Sequence, residues 1–290
     1  MKKIICATSL FVFTLFLGTA DLRAQFSKRK NNAHIVTAST VALKKEKKAE
    51  TWVKYAVFDG QLAEEHVQIA SIDYNNDGKK DRWQVFNDAG ELKYTYLYDH
   101  DVSKNQIRCF IENKDKQTQL EFVETYNRLQ QLVEREEYVD GGKQAICRKT
   151  WEYNALGKVV LHQTYQLRGQ KMQLAYETQY DYQDDSNTCI ETHANHLSQT
   201  GHQVVIAYNE NGQPVEETTY MLTGELVRKT TFYYDEMQRL SEQRIYSDGR
   251  TLDVREVYSY GAFGDEQTRA TYTQNGEQLQ EYIVYKYQFD

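Results

Sequence analysis

Between Asp73 and Asp81 the chain reads DYNNDGKKD, which places Asp73, Asn75, Asp77 and Asp81 at positions 1, 3, 5 and 9 of a loop with Gly78 at position 6. Alternate oxygen side chains of this kind converge on one hard cation, the glycine permits the sharp turn, and the Lys79 carbonyl is a further donor. The ion this pattern suits is Ca2+. Position 12, where a helix-flanked calcium loop supplies a bidentate glutamate, is Gln84. The competing reading is therefore a plain polar hairpin turn. His193 and His196 have ligand spacing for a helix, but on a strand residues i and i+3 face opposite ways. The acidic pairs Glu136/Glu137, Asp184/Asp185 and Glu216/Glu217 are adjacent in sequence. On strands they point to opposite faces and do not oppose one another across a cleft, as glycosidase chemistry requires. The chain carries no GxSxG elbow, HExxH or Walker loop. A non-enzyme is expected.

The other chemistry on offer is aromatic. There are 23 Tyr against 11 Phe. Tyr94, Tyr96 and Tyr98 alternate with Lys93, Thr95 and Leu97, so the rings share one face of a strand. Tyr176, Tyr180 and Tyr182 do the same, as do Tyr285, Tyr287 and Phe289. Tyrosine and tryptophan (Trp52, Trp83, Trp151) on a sheet can stack on sugar rings or anchor a protein. Tyr94, Tyr96, Tyr285 and Tyr287 are the candidate ligand-binding set.

Internal repetition supplies the elements that hold these residues. An aromatic residue followed by a turn-like cluster recurs at Tyr98, Tyr126, Tyr153, Tyr182, Tyr208, Tyr234, Tyr260 and Tyr287, at intervals of 26–29 residues, with Tyr74 as an earlier member. A second turn signal falls between them: Asp88–Gly90, Asp140–Gly142, Arg168–Gln170, Gln199–Gly201, Leu222–Gly224, Ser247–Gly249 and Gln274–Gly276. Glycine, Asn and Asp tolerate the positive φ of tight hairpins. The single proline, Pro214, leaves the intervening Tyr-, Thr-, Val-, Gln- and Glu-rich segments free to pair. Hairpin-length turns force antiparallel neighbours. The expected fold is all-β, an extended antiparallel meander of about 16–18 strands in two-strand repeats. A polar, tyrosine-rich composition predicts a thin core, in which rings pack and hydroxyls stay wet.

YNALGKV at Tyr153–Val159 and FNDAGEL at Phe86–Leu92 resemble the YD-repeat of Rhs and teneurin-type proteins. The leader and size also resemble exported domain-of-unknown-function families of Bacteroides-type bacteria. The resemblance covers roughly residues 72–290. It implies strand–turn architecture and is nearly silent on activity, and it does not extend to a toxin segment.

Lys2 and Lys3, the apolar run Ile4–Leu17 and the small residues after it predict a signal peptide over residues 1–24, cleaved before Gln25. Residues 25–50 form a basic linker, with seven basic against two acidic residues; residues 51–290 form the repeat domain, with 25 basic against 39 acidic. An acidic body disfavours nucleic acid and anionic membrane as main partners. No later segment reaches transmembrane-helix length. The three cysteines of the exported chain, Cys109, Cys147 and Cys189, fall at different offsets in the repeat and are expected as buried thiols. Together these features predict an exported, non-enzymatic repeat protein that binds an unidentified carbohydrate or protein at or outside the cell envelope. A self-assembling repeat with edge-strand pairing is the second reading, and an enzyme with an unrecognised site the third.

Overall fold

The computed structural model describes residues 47–289 apart from 114, 140, 262–264 and 274. The expected signal peptide and most of the basic linker lie outside the described residues. Eighteen strands follow in order: β1 (Lys47–Phe58), β2 (Gln61–Tyr74), β3 (Lys80–Phe86), β4 (Leu92–Asp101), β5 (Gln106–Glu112) and β6 (Thr118–Tyr126). Next come β7 (Leu132–Val139), β8 (Gln144–Tyr153), β9 (Val159–Arg168), β10 (Lys171–Gln183), β11 (Thr188–Asn195) and β12 (Thr200–Tyr208). The last six are β13 (Pro214–Met221), β14 (Leu226–Tyr234), β15 (Leu240–Tyr246), β16 (Leu252–Tyr260), β17 (Glu266–Thr273) and β18 (Gln278–Phe289). β1 takes up the last four residues of the expected linker.

The meander of two-strand repeats is present, but it is not an open sheet. Each strand pairs antiparallel with the next, and β18 pairs with β1, Lys47 facing Phe289 and Tyr55 facing Tyr282. The sheet therefore closes into an up-and-down barrel. Eighteen strands spaced at about 4.8 Å give a circumference of about 86 Å before any tilt, or a radius of about 14 Å if circular. Among the described residues the ring leaves no free strand edge for the edge pairing of the assembly reading to act on.

The turns explain the repeat at atomic level. At Asn75, Asn87, Asn113, Asn127, Asn154, Asn209 and Asp235 the side-chain Oδ1 accepts backbone N–H groups from residues two and four further on, at 2.8–3.0 Å. The residue three further on takes positive φ. It is Gly at 78, 90, 157 and 212, and Lys116, Gln130 or Gln238 elsewhere. A register shift falls one residue before the aromatic that precedes an Asx turn, as at Glu152/Tyr153 and Ala207/Tyr208. The hydroxyls of Tyr153, Tyr234, Tyr260 and Tyr287 then donate to the carbonyls of Leu132, Pro214, Leu240 and Glu266, each at 2.6 Å. In these four repeats the tyrosine hydroxyl ties one strand end to the start of the neighbouring strand, a role phenylalanine cannot fill.

Two expected turns fall elsewhere. Asp99–Asp101 stay in β4 and the chain turns after Asp101. Gly201 lies in β12 opposite Ala194. A Cβ there would sit 2.4 Å from the His193 carbonyl oxygen, so this glycine permits a close backbone approach.

The two faces of the wall differ in cover. One face buries Ala70, Ile72, Cys109, Phe122, Thr178, Val204, Ile206, Thr230, Phe232, Ile283 and Tyr285. The other buries the smaller Val53, Thr95, Thr218 and Ala270 but leaves Asp99, Gln179, Asp181, Gln203, Tyr233 and Lys286 exposed. Side chains on the concave side of a closed sheet crowd together and those on the convex side splay, so the covered face lines the lumen. The core is thin, as expected, with Cys189, Val204 and Ile206 packed among Tyr180, Tyr182 and Tyr208. The outer face carries Glu136 opposite Arg148, and Glu242 and Arg244 beside Arg255, in mid-strand. A lipid-facing barrel needs an unbroken apolar band about 25 Å tall. This outer wall has none among the described residues. Nor does any described helix have the length and apolarity to cross a membrane.

Candidate functional site

The closing pair β1–β18 brings together what the sequence holds at its two ends. Trp52 of β1 faces Tyr285 of β18, with ring centroids 5.4 Å apart and planes at 78°. On the other side Trp52 reaches Trp83 of β3 at 6.4 Å, across the small Ala70 of β2, which is its register partner. Trp83 contacts Tyr96 of β4 at 5.5 Å, and Tyr96 contacts Tyr94 at 6.3 Å. The result is a continuous aromatic band on the inner wall, from β4 to β18 across the seam.

All four candidate tyrosines lie on this inner face, but in different surroundings. Tyr94 is 39% exposed, with the Lys93 ammonium 5.2 Å from its ring centre. Tyr96 is half-buried, and burial pushes its hydroxyl up to about 12. Tyr285 is only 8% exposed, and burial raises its hydroxyl far above the usual range, with the Arg269 guanidinium opposing. Tyr287 is tied by its hydroxyl bond to Glu266, with the Lys47 ammonium 4.1 Å from its ring centre. Tyr94 and Tyr96 are thus the open end of the band, while Tyr285 and Tyr287 are packed into the wall. Trp52 and Trp83 complete the band. Their contact is invisible before the register across β1–β4 is known. Glu50 sits buried beneath Trp52, accepting bonds from its indole N–H and, at 3.0 Å, from the Tyr74 hydroxyl.

The Asp73–Asp81 loop has the first of the seven Asx turns. Asn75 Oδ1 is occupied by the backbone N–H groups of Asp77 and Lys79, both at 3.0 Å. Asp73 lies in β2 opposite Arg82. Among the described residues no group of three or more His, Cys, Asp or Glu side chains is placed to hold a metal ion.

A second cluster was not anticipated as a unit. Trp151, His162, Thr178, His193 and His202 are successive register partners across β8 to β12, one row on the inner face. His162 stacks on Trp151 at 4.9 Å, and His193 on His202 at 4.4 Å with planes 12° apart. His193 is held by Thr178 Oγ1 at 2.9 Å and by Glu191 at 3.1 Å. His162 Nε2 is buried with no hydrogen-bond partner. Burial, helped by the Lys149 ammonium and by His193, pushes His162 down to about 4. His196 lies in the turn beyond β11 and takes no part in the row. Parallel stacked imidazoles do not aim their lone pairs at a common point, which makes this row wall rather than ligand set. The cysteines are free thiols, Cys109 and Cys189 buried and Cys147 half-buried. Burial holds Cys109 at about 12 and Cys147 at about 11, far from the thiolate a nucleophile needs.

No family model matches the chain, and no curated protein matches it. Solved structures do. A porin-like protein from Bacteroides uniformis is similar over 83% of this chain and 98% of its own, at 10% identity and a TM-score of 0.44. A porin-like protein from Bacteroides vulgatus is similar over 82% and 98%, at 12% identity and a TM-score of 0.36. TcdB2-TccC3 is similar over 80% of this chain and 13% of its own, at 13% identity and a TM-score of 0.36. At such scores the likeness is loose, and the barrel described above rests on its own strand pairing.

Proposed function

We propose that this chain is an exported, non-enzymatic β-repeat barrel that binds a carbohydrate or protein ligand at or outside the cell envelope, through the open end of its aromatic band. The observation that carries the reading is the run Tyr94–Tyr96–Trp83–Trp52, contiguous on the inner wall and exposed at Tyr94. Rings arranged in this way offer flat apolar faces with polar rims, the surface on which pyranose rings and aromatic anchors stack. The YD-type repeat is the strand–turn unit that builds the wall. The charged outer wall favours a body in aqueous surroundings over one embedded in lipid. A leader over residues 1–24 is consistent with that location.

Indole emission reports the site directly, because Trp52 and Trp83 are both in the band. Titrating the protein with a panel of soluble oligosaccharides and envelope glycans should change that emission with at least one of them. Tyr94→Ala should weaken the response by about tenfold, an amount equal to ~1.4 kcal/mol, while leaving the melting temperature nearly unchanged. A response that is equal in the variant would remove the band as the binding face.

A further inference from the structure

The inner wall treats its charged side chains in two ways. On β6–β8 they are paired: Arg135 lies 3.0 Å from Glu124 and 3.3 Å from Glu137, and Lys149 lies 2.8 Å from Glu137. On β15–β17 they are not. Arg269, opposite Tyr258 and Ile283 in the register, makes no hydrogen bond or ion pair among the described residues, and its Nε is buried without a partner. The Glu256 and Glu266 carboxylates are near enough to act on its charge, but neither closes on it. Glu256 accepts the Tyr258 hydroxyl at 2.7 Å. Glu266 lies beside the Tyr285 hydroxyl, with its Oε1 buried and unpaired. Gln243, the register partner of Phe232 and Glu256, is 7% exposed, and among the described residues its amide makes no hydrogen bond.

Folded proteins hydrogen-bond nearly all of their buried polar groups, because an unpaired one has given up water for nothing. The far side of the sheet supplies no partner: with a radius of about 14 Å, the opposite wall of a circular barrel is about 28 Å away. Packing alone would place apolar side chains here, as it does at Phe232 and Ile283 on the flanking strands. Unused hydrogen-bonding capacity is thus concentrated on the lumen side of three adjacent strands. It also adjoins the aromatic band, since Tyr285 touches Trp52 on one side and Glu266 on the other.

Both signs of charge within one patch restrict what fits. A carboxylate or phosphate brought to Arg269 would also meet Glu256 and Glu266, and an ammonium brought to those carboxylates would meet Arg269. A hydroxyl group meets no such conflict, because it donates to a carboxylate and accepts from a guanidinium or an amide. Neighbouring hydroxyls of a pyranose engage both kinds at once, while the flat face of the ring stacks on indole.

We propose that Gln243, Glu256, Glu266 and Arg269 form the hydrogen-bonding half of a site whose stacking half is Trp52 and Tyr285, and that its ligand is a neutral saccharide. The inference rests on the aromatic band being the binding face, and it narrows the ligand from carbohydrate or protein to an uncharged sugar chain. From Tyr94 on β4 to Arg269 on β17 is five strand spacings, about 24 Å along the wall. A site of that length takes an oligosaccharide in preference to a single sugar.

The test is titration of the protein, read by indole emission and by calorimetry, with uncharged hexasaccharides of glucose, mannose, xylose and N-acetylglucosamine. Oligogalacturonate and chitosan oligomers of the same length are the charged probes. At least one neutral chain should bind, and neither charged series should bind as well. Gln243→Met and Arg269→Met should each weaken that binding by about tenfold or more. Gln243→Met should melt no lower than the unmodified protein, because an unpaired amide is replaced by an apolar chain of similar size. It keeps the test decisive if Arg269→Met disturbs the two carboxylates. The proposal is overturned if Gln243→Met binds the neutral chain undiminished, if that variant melts well below the unmodified protein, or if the charged probes bind better. Should Tyr94→Ala weaken binding while Gln243→Met does not, the band stands as the binding face and this inference alone fails. Silence from every saccharide by both readouts overturns the inference and leaves the band to a protein partner.

Discussion

Asn154 accepts two backbone N–H groups through a single side-chain oxygen, and six other Asx residues do the same. Removing that oxygen leaves two turn N–H groups without their partner. Asn154→Ala is expected to cost about 1–2 kcal/mol in urea denaturation, and Asn154→Asp much less, because Asp235 already fills the role. Tyr153→Phe should lose about 1 kcal/mol, since only the hydroxyl bond to Leu132 is removed. At Asn75 the same geometry bears on calcium. With Oδ1 turned onto the backbone, the melting temperature is expected to be identical in chelator and in about 5–10 mM calcium. A rise with calcium that disappears in Asp77→Ala would restore the loop as an ion site. These turns were legible in the sequence, because Asn–x–x–Gly is a local signal whose physics spans five residues. The displaced turn after Asp101 was not. Asp99, which follows Tyr98 as the Asx residue follows the aromatic elsewhere, accepts from Arg108 across the strand pair, and Asp101 takes the turn N–H of Lys104 instead.

The two-strand repeat makes a sharper claim at the level of elements. Deleting residues 208–233 removes two strands from eighteen and leaves every later strand in its original direction. Deleting residues 208–220 removes one, and β18 would then meet β1 in parallel. Circular dichroism should record a cooperative melt at somewhat lower temperature for the first deletion and a broad, early one for the second. Equal melts would exclude the repeat as the structural unit. The histidine row predicts a pH effect within the wall. His162 titrates near 4 in the folded chain against about 6.5 when unfolded. Below about 6.5 the unfolded state takes up a proton that the folded state refuses. Its contribution is therefore intact above that pH and is lost as pH falls toward 4, by up to ~1.4 kcal/mol per pH unit. Urea melts between about pH 7.5 and 5 should show that slope, and it should flatten in His162→Gln. If the slope is unchanged in the variant, the acid sensitivity lies elsewhere. The row itself could not be read from the sequence, since it depends on the register of five strands fixed one against the next.

For the whole molecule the decisive feature is the seam. Alternation and turn spacing specify each hairpin, but nothing local in Lys47–Phe58 says that its partner is Gln278–Phe289. That is why a meander was legible and its closure was not. The candidate tyrosines show the same limit. Tyr94 and Tyr96 were placed with Tyr285 and Tyr287 by alternation within each strand, and only the closed ring makes them one band, with the last two packed away. A chain ending before Gln278 should lose β18 and expose the edges of β1 and β17. Light scattering is expected to find such a truncation aggregated at concentrations where the full chain is monodisperse. A monodisperse truncation would mean that the ring is not needed to protect those edges.

Closure also sets an order of events in time. Every other strand pairing joins neighbours in the chain and can form as soon as a hairpin exists, on the scale of microseconds. The β1–β18 pairing joins Tyr55 to Tyr282, and no part of it can form before the final strand has been made. A freely coiling chain would pay about 5 kcal/mol in entropy to bring such distant ends together. The twist and curvature accumulated over the intervening hairpins reduce that search by delivering the last strand near the first. Until then the chain remains an unsealed ribbon with β1 unpaired on one side, and the seam is the last pairing of the sheet to form.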